Sequence, residues 1–296
     1  MSTGQAWANW VGTREEREDV ITAAPVALLA VTLDHPDPRP VAGTPLPPGG
    51  HWLYFLERAP LSSVGPDGHG RRGEFLPPID LPRRMFGGAR MTFHSPLVVG
   101  DRVTRSRTIT SISEKAGRSG RLVFLGLRED YATGEGVALS IDVDIAFREA
   151  SARTSAALTV EQLQAGAPMP PAKPVWRRSI QAGPVLLFRY SALTFNSHRI
   201  HYDRPYAMNE EGYPGLVVTG PLIATLLLDL VAREAPQARL RTFAFRAHSP
   251  LFDMQPFTLN GAPKGDGSRS WHLWAENPQG GVAMLGEATW DSTDAS

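Results

Sequence analysis

The sequence of 296 residues contains no cysteine, which excludes disulfide bonds, thiolate nucleophiles and cysteine-ligated metals. It also lacks an excess of either charge, since 30 basic side chains balance 30 acidic ones. A chain without net charge has no general electrostatic affinity for nucleic acid or for an anionic membrane surface. With 42% hydrophobic and 20% charged residues, the composition is typical of a globular protein rather than a disordered one.

Long hydrophobic runs are also missing. The first 20 residues carry a charged run between Arg14 and Asp19 where a secretion signal would need an apolar segment. The main apolar run of the second half, residues 221–228, is far shorter than the roughly 20 residues that cross a bilayer. We therefore expect a soluble, cytoplasmic protein.

The first half of the chain reads as a helix followed by an antiparallel sheet. Apolar residues at helical spacing predict a helix over residues 14–33, with Thr13 as its cap and a kink or restart at Pro25. Residues 52–56 predict a buried strand, and residues 60–84 a long surface loop of a kind that is usually functional or mobile. Four further strands are predicted at residues 91–93, 102–112, 122–131 and 137–147.

A segment rich in Ala, Gly and Pro divides the chain in two. It predicts a first domain over residues 1–150, a linker over 151–175 and a second domain over 176–296. In the second half the pattern predicts a short strand at residues 185–190 and an apolar helix over 214–231. Its remaining strands are predicted at residues 240–247, 256–261, 268–275 and 282–290.

Two short sequences occur once in each half, which indicates a duplication. His94-Ser-Pro-Leu97 recurs as His248-Ser-Pro-Leu251, and Gly136-Val-Ala138 recurs as Gly281-Val-Ala283 at the start of the last strand. Each half then has an apolar helix wrapped by a four- or five-stranded antiparallel sheet, which is the hot-dog arrangement. The predicted fold class is α+β, a double hot dog with two long central helices. Because His94 and His248 are equivalent residues of the repeat, we expect both to be structural.

Polar residues concentrate after the predicted strand at residues 185–190. Two histidines, an asparagine and an aspartate lie within eight residues; they are Asn196, His198, His201 and Asp203. Gly215 and Gly220 then precede the apolar helix. Backbone N–H groups at a helix start can stabilise a developing negative charge, and a base beside them can move a proton. The pattern fits chemistry on a thioester, whose carbonyl must be polarised toward an enolate.

Residues 189–230 resemble the MaoC-like hydratases and dehydratases, which are hot-dog enzymes. Their motif has an Asp, then Asn-Pro, then a His five positions after the Asp. His201 stands at the position of the motif His, whereas Asn196 replaces the usual Asp, and His198-Arg199 replace Asn-Pro.

The asparagine form is similar to that of a subgroup with the pattern Phe-Asn-x-His-Arg-Ile-His-Tyr-Asp. This subgroup includes mesaconyl-CoA hydratase-like and mitochondrial-type 3-hydroxyacyl-thioester dehydratase-like proteins, and residues 195–203 match its pattern at every position. Residues 77–85 and 93–101 resemble the subgroup too, so the resemblance covers nearly the whole chain.

The resemblance implies a reversible syn addition of water to a 2-enoyl thioester of CoA or acyl carrier protein. His201 would be the main acid/base, Asn196 would hold the water, and the Gly220 N–H would polarise the carbonyl. The implied substrate is a short branched dicarboxylic acyl-CoA such as mesaconyl-CoA or itaconyl-CoA, with a straight-chain acyl thioester as the alternative. Substrate contacts are expected from His198, Arg199, Gly215 and Arg84. Arg189 and Arg204 are further candidate cations for the free carboxylate.

The motif occurs only in the second half, so we expect one active site per chain and a first half that accommodates substrate without catalysing. A homodimer is expected, with no cofactor. No metal is expected either, because His198 and His201 have only Asp203 as a nearby third ligand.

Alternatives remain for the residues and for the function. Asn196 could be a turn residue, His198 a structural one, and Asp203 could pair with Arg204 or cap a turn. The protein could be a thioesterase, although the helix from Gly220 has no acid before Asp229, or a binding module for acyl thioesters without activity.

Overall fold

The computed structural model describes residues 7–36, 39–117, 120–149, 159–265 and 269–291. The first half forms β1 (Arg14–Val20), α1 (Ala23–Thr32), β2 (Arg83–Phe93), β3 (Arg102–Gly117), β4 (Gly120–Thr133) and β5 (Gly136–Arg148). The second half forms α2 (Val160–Gln164), β6 (Trp176–Ile180), α3 (Pro184–Leu193), α4 (Arg204–Asn209), α5 (Gly220–Glu234), β7 (Arg239–Ala247), β8 (Phe257–Pro263), β9 (Ser270–Glu276) and β10 (Val282–Asp291).

The ten strands form one sheet in the order β1-β3-β4-β5-β2-β7-β10-β9-β8-β6, so each half contributes five neighbouring strands. The halves join where β2 pairs antiparallel with β7, between residues 88–92 and 242–246. The backbones approach closely there, because a Cβ on Gly88 would lie 2.2 Å from the carbonyl oxygen of Phe245. Glycine is therefore required at the start of this junction.

The duplicated sequences occupy equivalent positions in the two halves. In residues 94–97 the first two N–H groups donate to the carbonyl of Ala138, over 2.8 and 3.2 Å. In residues 248–251 the corresponding groups donate to the carbonyl of Ala283 over the same distances. The two alanines are the last residues of the repeated Gly-Val-Ala, so the repeated residues build the same turn twice and the predicted duplication is confirmed.

Helix α5 is enclosed as predicted, since every residue from Leu222 to Val231 is buried. Helix α1 differs from the prediction of a second long central helix. It has ten residues, of which Val26 and Leu29 are buried, while Leu28 remains 54% exposed.

The predicted helix over residues 14–33 is wrong in its first part. Residues 14–20 form β1, an edge strand paired with β3, whose side chains alternate between exposed and half-buried. The half-buried Glu15 accepts a hydrogen bond from Arg107 on β3, so tertiary pairing outweighs the helical pattern. Pro25 lies in the first turn of α1, where a missing N–H costs nothing, and it does not divide the helix.

Two predicted strands are also wrong. Residues 185–190 belong to α3, which begins with Pro184 at its first position and buries Leu187 and Tyr190, three residues apart. Residues 52–53 end a 3₁₀ turn at Gly50–Leu53, and residues 54–56 are irregular, although Leu53 is buried.

The remaining predicted strands are confirmed as β2 to β5 and β7 to β10. Within the predicted linker, α2 lies at residues 160–164, and residues 150–158 lie outside the described part of the chain. The boundary between the two domains stays a prediction. No helix among the described residues is long and apolar enough to cross a membrane.

Candidate active site

The polar motif begins where α3 ends. Phe195 adopts a left-handed backbone conformation with φ of +49°, and the Asn196 N–H donates to the carbonyl of Ser191 over 2.8 Å. This arrangement satisfies the last carbonyls of the helix and turns the chain sharply. The chain then forms a 3₁₀ turn at Arg199–His201, which points the motif back toward the start of α5.

His201 is buried, and its Nδ1 lies 2.8 Å from the carbonyl oxygen of Val217. Because a carbonyl only accepts, Nδ1 carries the hydrogen and the neutral ring keeps a free electron pair on Nε2. Burial lowers the pKa of His201 to about 4; the bond to Val217 opposes this shift and the charge of His69 adds to it. The ring is therefore neutral near pH 7 and can act as a base.

The backbone N–H of Gly220 lies three residues after Val217, at the first position of α5. Among the described residues it donates to no acceptor, and the Thr219 side chain does not cap the helix. Pro221 follows and has no N–H, so Gly220 presents an isolated donor at the positive end of the helix dipole. His201 and Gly220 are thus tied to the same short segment, residues 217–220.

Asn196 forms an Asx turn, because its Oδ1 accepts a hydrogen bond from the His198 N–H over 3.1 Å. The side chain is half-buried, and its amide NH₂ can still contact a water. Its contacts therefore support a role as a turn residue, and the free amide is compatible with the role of holding the water.

His198 lies between His201 and a third histidine that the sequence did not single out. The ring centroids of His198 and His201 are 5.2 Å apart at 90°, and those of His198 and His69 are 4.2 Å apart. Burial lowers the pKa of His198 to about 2, with further lowering by His69 and His201. Three imidazoles are thus clustered, one of them from the first half of the chain.

His69 belongs to a loop at residues 65–70 that packs against the motif. Its Nδ1 lies 2.9 Å from Oδ2 of Asp67. The Ser197 hydroxyl donates to the carbonyl of Gly68, and the Arg199 N–H donates to that of Asp67 over 2.9 Å. Gly68 has a φ of +93°, and a Cβ there would lie 1.8 Å from the carbonyl oxygen of Ser197. Only glycine permits this contact.

Asp67, His69 and His198 offer ligand atoms that lie within 4.8 Å of one another. Two nitrogens and one oxygen are a donor set that divalent cations accept. The sequence gives no sign of this group, because His69 and His198 are 129 positions apart in the chain. The expectation of no metal stays a prediction.

The contacts of Asp203 and Arg204 correct one expectation. Asp203 caps α4, and its Oδ2 lies 2.7 Å from Nη2 of Arg199, whereas Arg204 pairs with Asp253. Arg199 also donates to the carbonyl of Pro66 over 3.0 Å. These bonds occupy most of its donors, so a direct role for Arg199 toward a substrate carboxylate is not supported. Its outer edge lines a surface cleft, and contact with a CoA phosphate there stays a prediction.

Arg84 and Gly215 were the other predicted substrate contacts. Arg84 extends from β2, is half-buried, and has no hydrogen bond or ion pair in the described part of the chain. Its charge contributes to the low pKa of His198, so it lies close to the histidine cluster. Gly215 allows a close backbone approach, since a Cβ there would lie 2.8 Å from Oδ1 of Asp253. Its surroundings therefore indicate a packing role.

The model of the hydroxyacyl-thioester dehydratase type 2 family matches residues 49–253. The chain belongs to this family. It is 46% identical to a mesaconyl-C4-CoA hydratase of Chloroflexus aurantiacus over 278 residues, which are 94% of this chain and 95% of the relative.

Two solved structures show the fold. A MaoC-like dehydratase of Phytophthora capsici gives a TM-score of 0.62 at 16% identity, over 95% of this chain and 96% of that one. A Mycobacterium tuberculosis protein with a double hot-dog fold gives a TM-score of 0.52 at 13% identity, over 95% and 96%. The predicted double hot dog and the MaoC-like resemblance are confirmed, and the chain is an enzyme of the hydro-lyase class.

Proposed function

We propose that the protein hydrates a short, branched 2-enoyl-CoA that carries a second, free carboxylate, such as mesaconyl-C4-CoA, and catalyses the reverse dehydration. The observation that carries the proposal is the joint position of the His201 ring and the Gly220 N–H on residues 217–220. A base and an oxyanion donor held by one segment suit addition of water to a conjugated thioester. The 46% identity to a mesaconyl-C4-CoA hydratase supports the choice of acyl group.

In the hydration direction, Nε2 of His201 accepts a proton from water as the water oxygen bonds to C3 of the enoyl group. The π electrons of C2=C3 move toward the thioester, and the Gly220 N–H stabilises the resulting enolate oxygen. Such a donor contributes about 3 to 4 kcal/mol to the transition state. The Asn196 amide holds the water by a hydrogen bond, and C2 then takes up a proton.

Arg84 is our proposed partner for the free carboxylate. Arg199 and Arg204 are paired with Asp203 and Asp253, and Arg189 is exposed on α3. Burial lowers the pKa of Arg84 to about 10, with nearby Arg107 adding to the effect. Glu57 and Asp67 favour the charge of Arg84, but neither forms an ion pair with it, and a substrate carboxylate in direct contact would offset the cost of burying that charge. The second half of the chain would thus provide the catalytic groups, and Arg84 on β2 would select the substrate.

The test of the reaction is a His201→Ala variant assayed for hydration of mesaconyl-C4-CoA and crotonyl-CoA. Since acid/base groups contribute about 100-fold or more, we expect at least that loss in kcat. The matched control is His94→Gln, an exposed histidine of the repeated turn, which should keep wild-type activity. Full activity of His201→Ala would contradict the assignment of the base.

The test of the substrate class is Arg84→Gln. We expect kcat/KM for mesaconyl-C4-CoA to fall about 100-fold, because a desolvated charge pair loses one partner. The value for crotonyl-CoA, which has no free carboxylate, should stay within about threefold. Equal losses on both substrates would refute a carboxylate-specific role.

A thioesterase is not favoured, because the acid on the central helix is already engaged. Asp229 is buried and lies 2.6 Å from Arg178, 2.8 Å from Arg233 and 2.5 Å from His35. Both of its oxygens are engaged, Oδ1 by His35 and Oδ2 by the two arginines, so the carboxylate is not directed at a water. Release of free thiol from mesaconyl-C4-CoA would revive this alternative. Binding without turnover would favour the non-enzymatic module.

A further inference from the structure

Addition of water to an enoyl thioester moves two protons, one away from water and one onto C2. In the broad family the motif offers a carboxyl and an imidazole for this work. Here Asn196 stands in place of the aspartate, and an amide cannot exchange a proton with the substrate. His201 is neutral and holds its one hydrogen on Nδ1, in the bond to Val217. Within the motif, His201 would therefore have to move both protons, first as a base and then as an acid.

We propose that Asp67 and His69, from the first half of the chain, form a second proton-transfer pair of the active site, with His69 as the acid and Asp67 as its positioning residue. The inference rests on the proposed hydratase function and extends it. It assigns catalysis to a half that the motif alone marks as non-catalytic.

The geometry of the pair is that of an oriented acid. Asp67 contacts Nδ1 of His69 at 2.9 Å and also accepts the His69 backbone N–H at 3.0 Å, so both the ring and its backbone are fixed. This leaves Nε2 of His69 as the atom available to a substrate. Both side chains are 27% exposed, so the pair is neither sealed in the core nor free in solvent.

The segment that carries the pair is bound to the motif by backbone contacts and hydrogen bonds. Gly68, between the two residues, contacts the Ser197 backbone so closely that no side chain fits. The backbone of Asp67 accepts from the Arg199 N–H, and Arg199 in turn donates to the carbonyl of Pro66. A surface loop without a role at the site would not need this many bonds to the residues on either side of His198.

The contacts of the three rings distinguish their roles. The Asp67 carboxylate accepts from the backbone N–H of His69 and lies 2.9 Å from its Nδ1, so it fixes the orientation of this ring. His198 and His201, in contrast, are kept neutral by burial. His69 is the ring of the cluster with a carboxylate partner.

The two histidines exchange protons with water and substrate in the proposed step. The water oxygen forms its bond to C3, and one water proton moves to Nε2 of His201. The enolate electrons form the C2–H bond with the proton on Nε2 of His69, which becomes neutral. His201 has gained the proton that His69 has lost, and exchange of one proton between the rings through solvent restores the resting state. In dehydration the same transfers run in reverse.

The experiment compares His69→Ala, Asp67→Asn and the control His94→Gln in the full-length protein, with mesaconyl-C4-CoA as substrate. We expect kcat to fall about 100-fold or more for His69→Ala and about tenfold for Asp67→Asn, with KM within about threefold. Added imidazole should restore kcat of His69→Ala by about tenfold and should not change that of the control. A purely structural histidine would not respond to imidazole.

Several outcomes would overturn the pair. His69→Ala with kcat within about threefold of wild type would do so, and so would a folded, inactive variant that imidazole fails to rescue. Loss of wild-type activity on dialysis against EDTA, with recovery on adding Zn²⁺, would instead indicate a metal held by Asp67, His69 and His198. A wild-type protein that hydrates no enoyl-CoA would contradict the proposed function itself, and the pair with it.

Discussion

The two halves of the molecule share their turns and differ in their interiors. In both, the repeated residues close the same backbone hydrogen bonds, to Ala138 and to Ala283. In the second half the sheet encloses α5, whose residues are buried over ten successive positions. In the first half, α1 is shorter and half-exposed. The two halves have therefore kept the same turns, whereas their helices differ in length and burial.

The interior of the first half contains buried arginine side chains on β3. Arg105 and Arg107, neighbours on one face of β3, are buried, and Arg107 lies 3.0 Å from Glu15 and 3.0 Å from Glu129. Buried ion pairs stabilise less than apolar packing does. We expect α5, which apolar side chains enclose over ten successive positions, to contribute more to stability than the half-exposed α1.

The largest expected effect tests this difference directly. Leu227→Ala removes a fully buried side chain of α5 and should lower the free energy of unfolding by about 2 to 5 kcal/mol. Leu28→Ala, on the exposed face of α1, should change it by less than about 0.5 kcal/mol. Urea unfolding of both variants gives the comparison. Similar losses would mean that the two helices are equally enclosed.

Acid should destabilise both halves, because each buries a neutral histidine. Burial lowers the pKa of His51 to about 3 and that of His201 to about 4, from 6.5 in each case. Between pH 6.5 and 4 the unfolded chain binds protons that the folded chain does not. The free energy of unfolding is therefore highest above about pH 6.5 and decreases as pH falls, by on the order of 3 kcal/mol for His201.

Urea unfolding over a series of pH values checks this effect. His201→Gln should flatten the decrease between pH 6.5 and 4 by roughly the contribution of one buried histidine. The exposed His94→Gln should leave the curve unchanged. A His201→Gln curve parallel to that of wild type would show that the ring is already charged in the folded protein.

A third prediction concerns the loop at residues 65–70, which brings residues of the first half to the motif in the second. Gly68→Ala places a Cβ against the Ser197 carbonyl and must displace residues 65–70 from the motif. A shift of about 1 Å in catalytic groups can cost about 100-fold in rate, and we expect a loss of that size in kcat. The melting temperature should fall less than that of Leu227→Ala, since residues 65–70 lie outside the strands and helices of the core. A matched Gly134→Ala variant, in an open turn, should be silent. Wild-type activity of Gly68→Ala would mean that the loop does not contribute to the site.

The sequence predicts eight of the ten strands, α5 and the motif around His201, because each of these signals lies within one short segment. It misses β6, which lies just after the predicted linker. It misplaces β1, whose charged residues resemble a capped helix until β3 pairs with them. It misplaces α3 because an apolar run of six residues fits a strand or a helix equally, and Pro184 at the first helical position is the signal that decides. Asp67 and His69 could not be found, since only the fold brings residues 65–70 to the motif.

The smallest expected effect concerns the repeated tetrapeptide. If the repeated residues serve only to form the turn, then the two imidazoles are dispensable, because the bonds found in both halves use backbone N–H groups. His94→Ala and His248→Ala should each change the free energy of unfolding by less than about 0.5 kcal/mol, and activity should be unchanged. The slightly larger effect belongs to His94, whose Nε2 lies 3.1 Å from the Ser140 hydroxyl. A large loss of activity in His248→Ala alone would instead show that this histidine has a function beyond the turn.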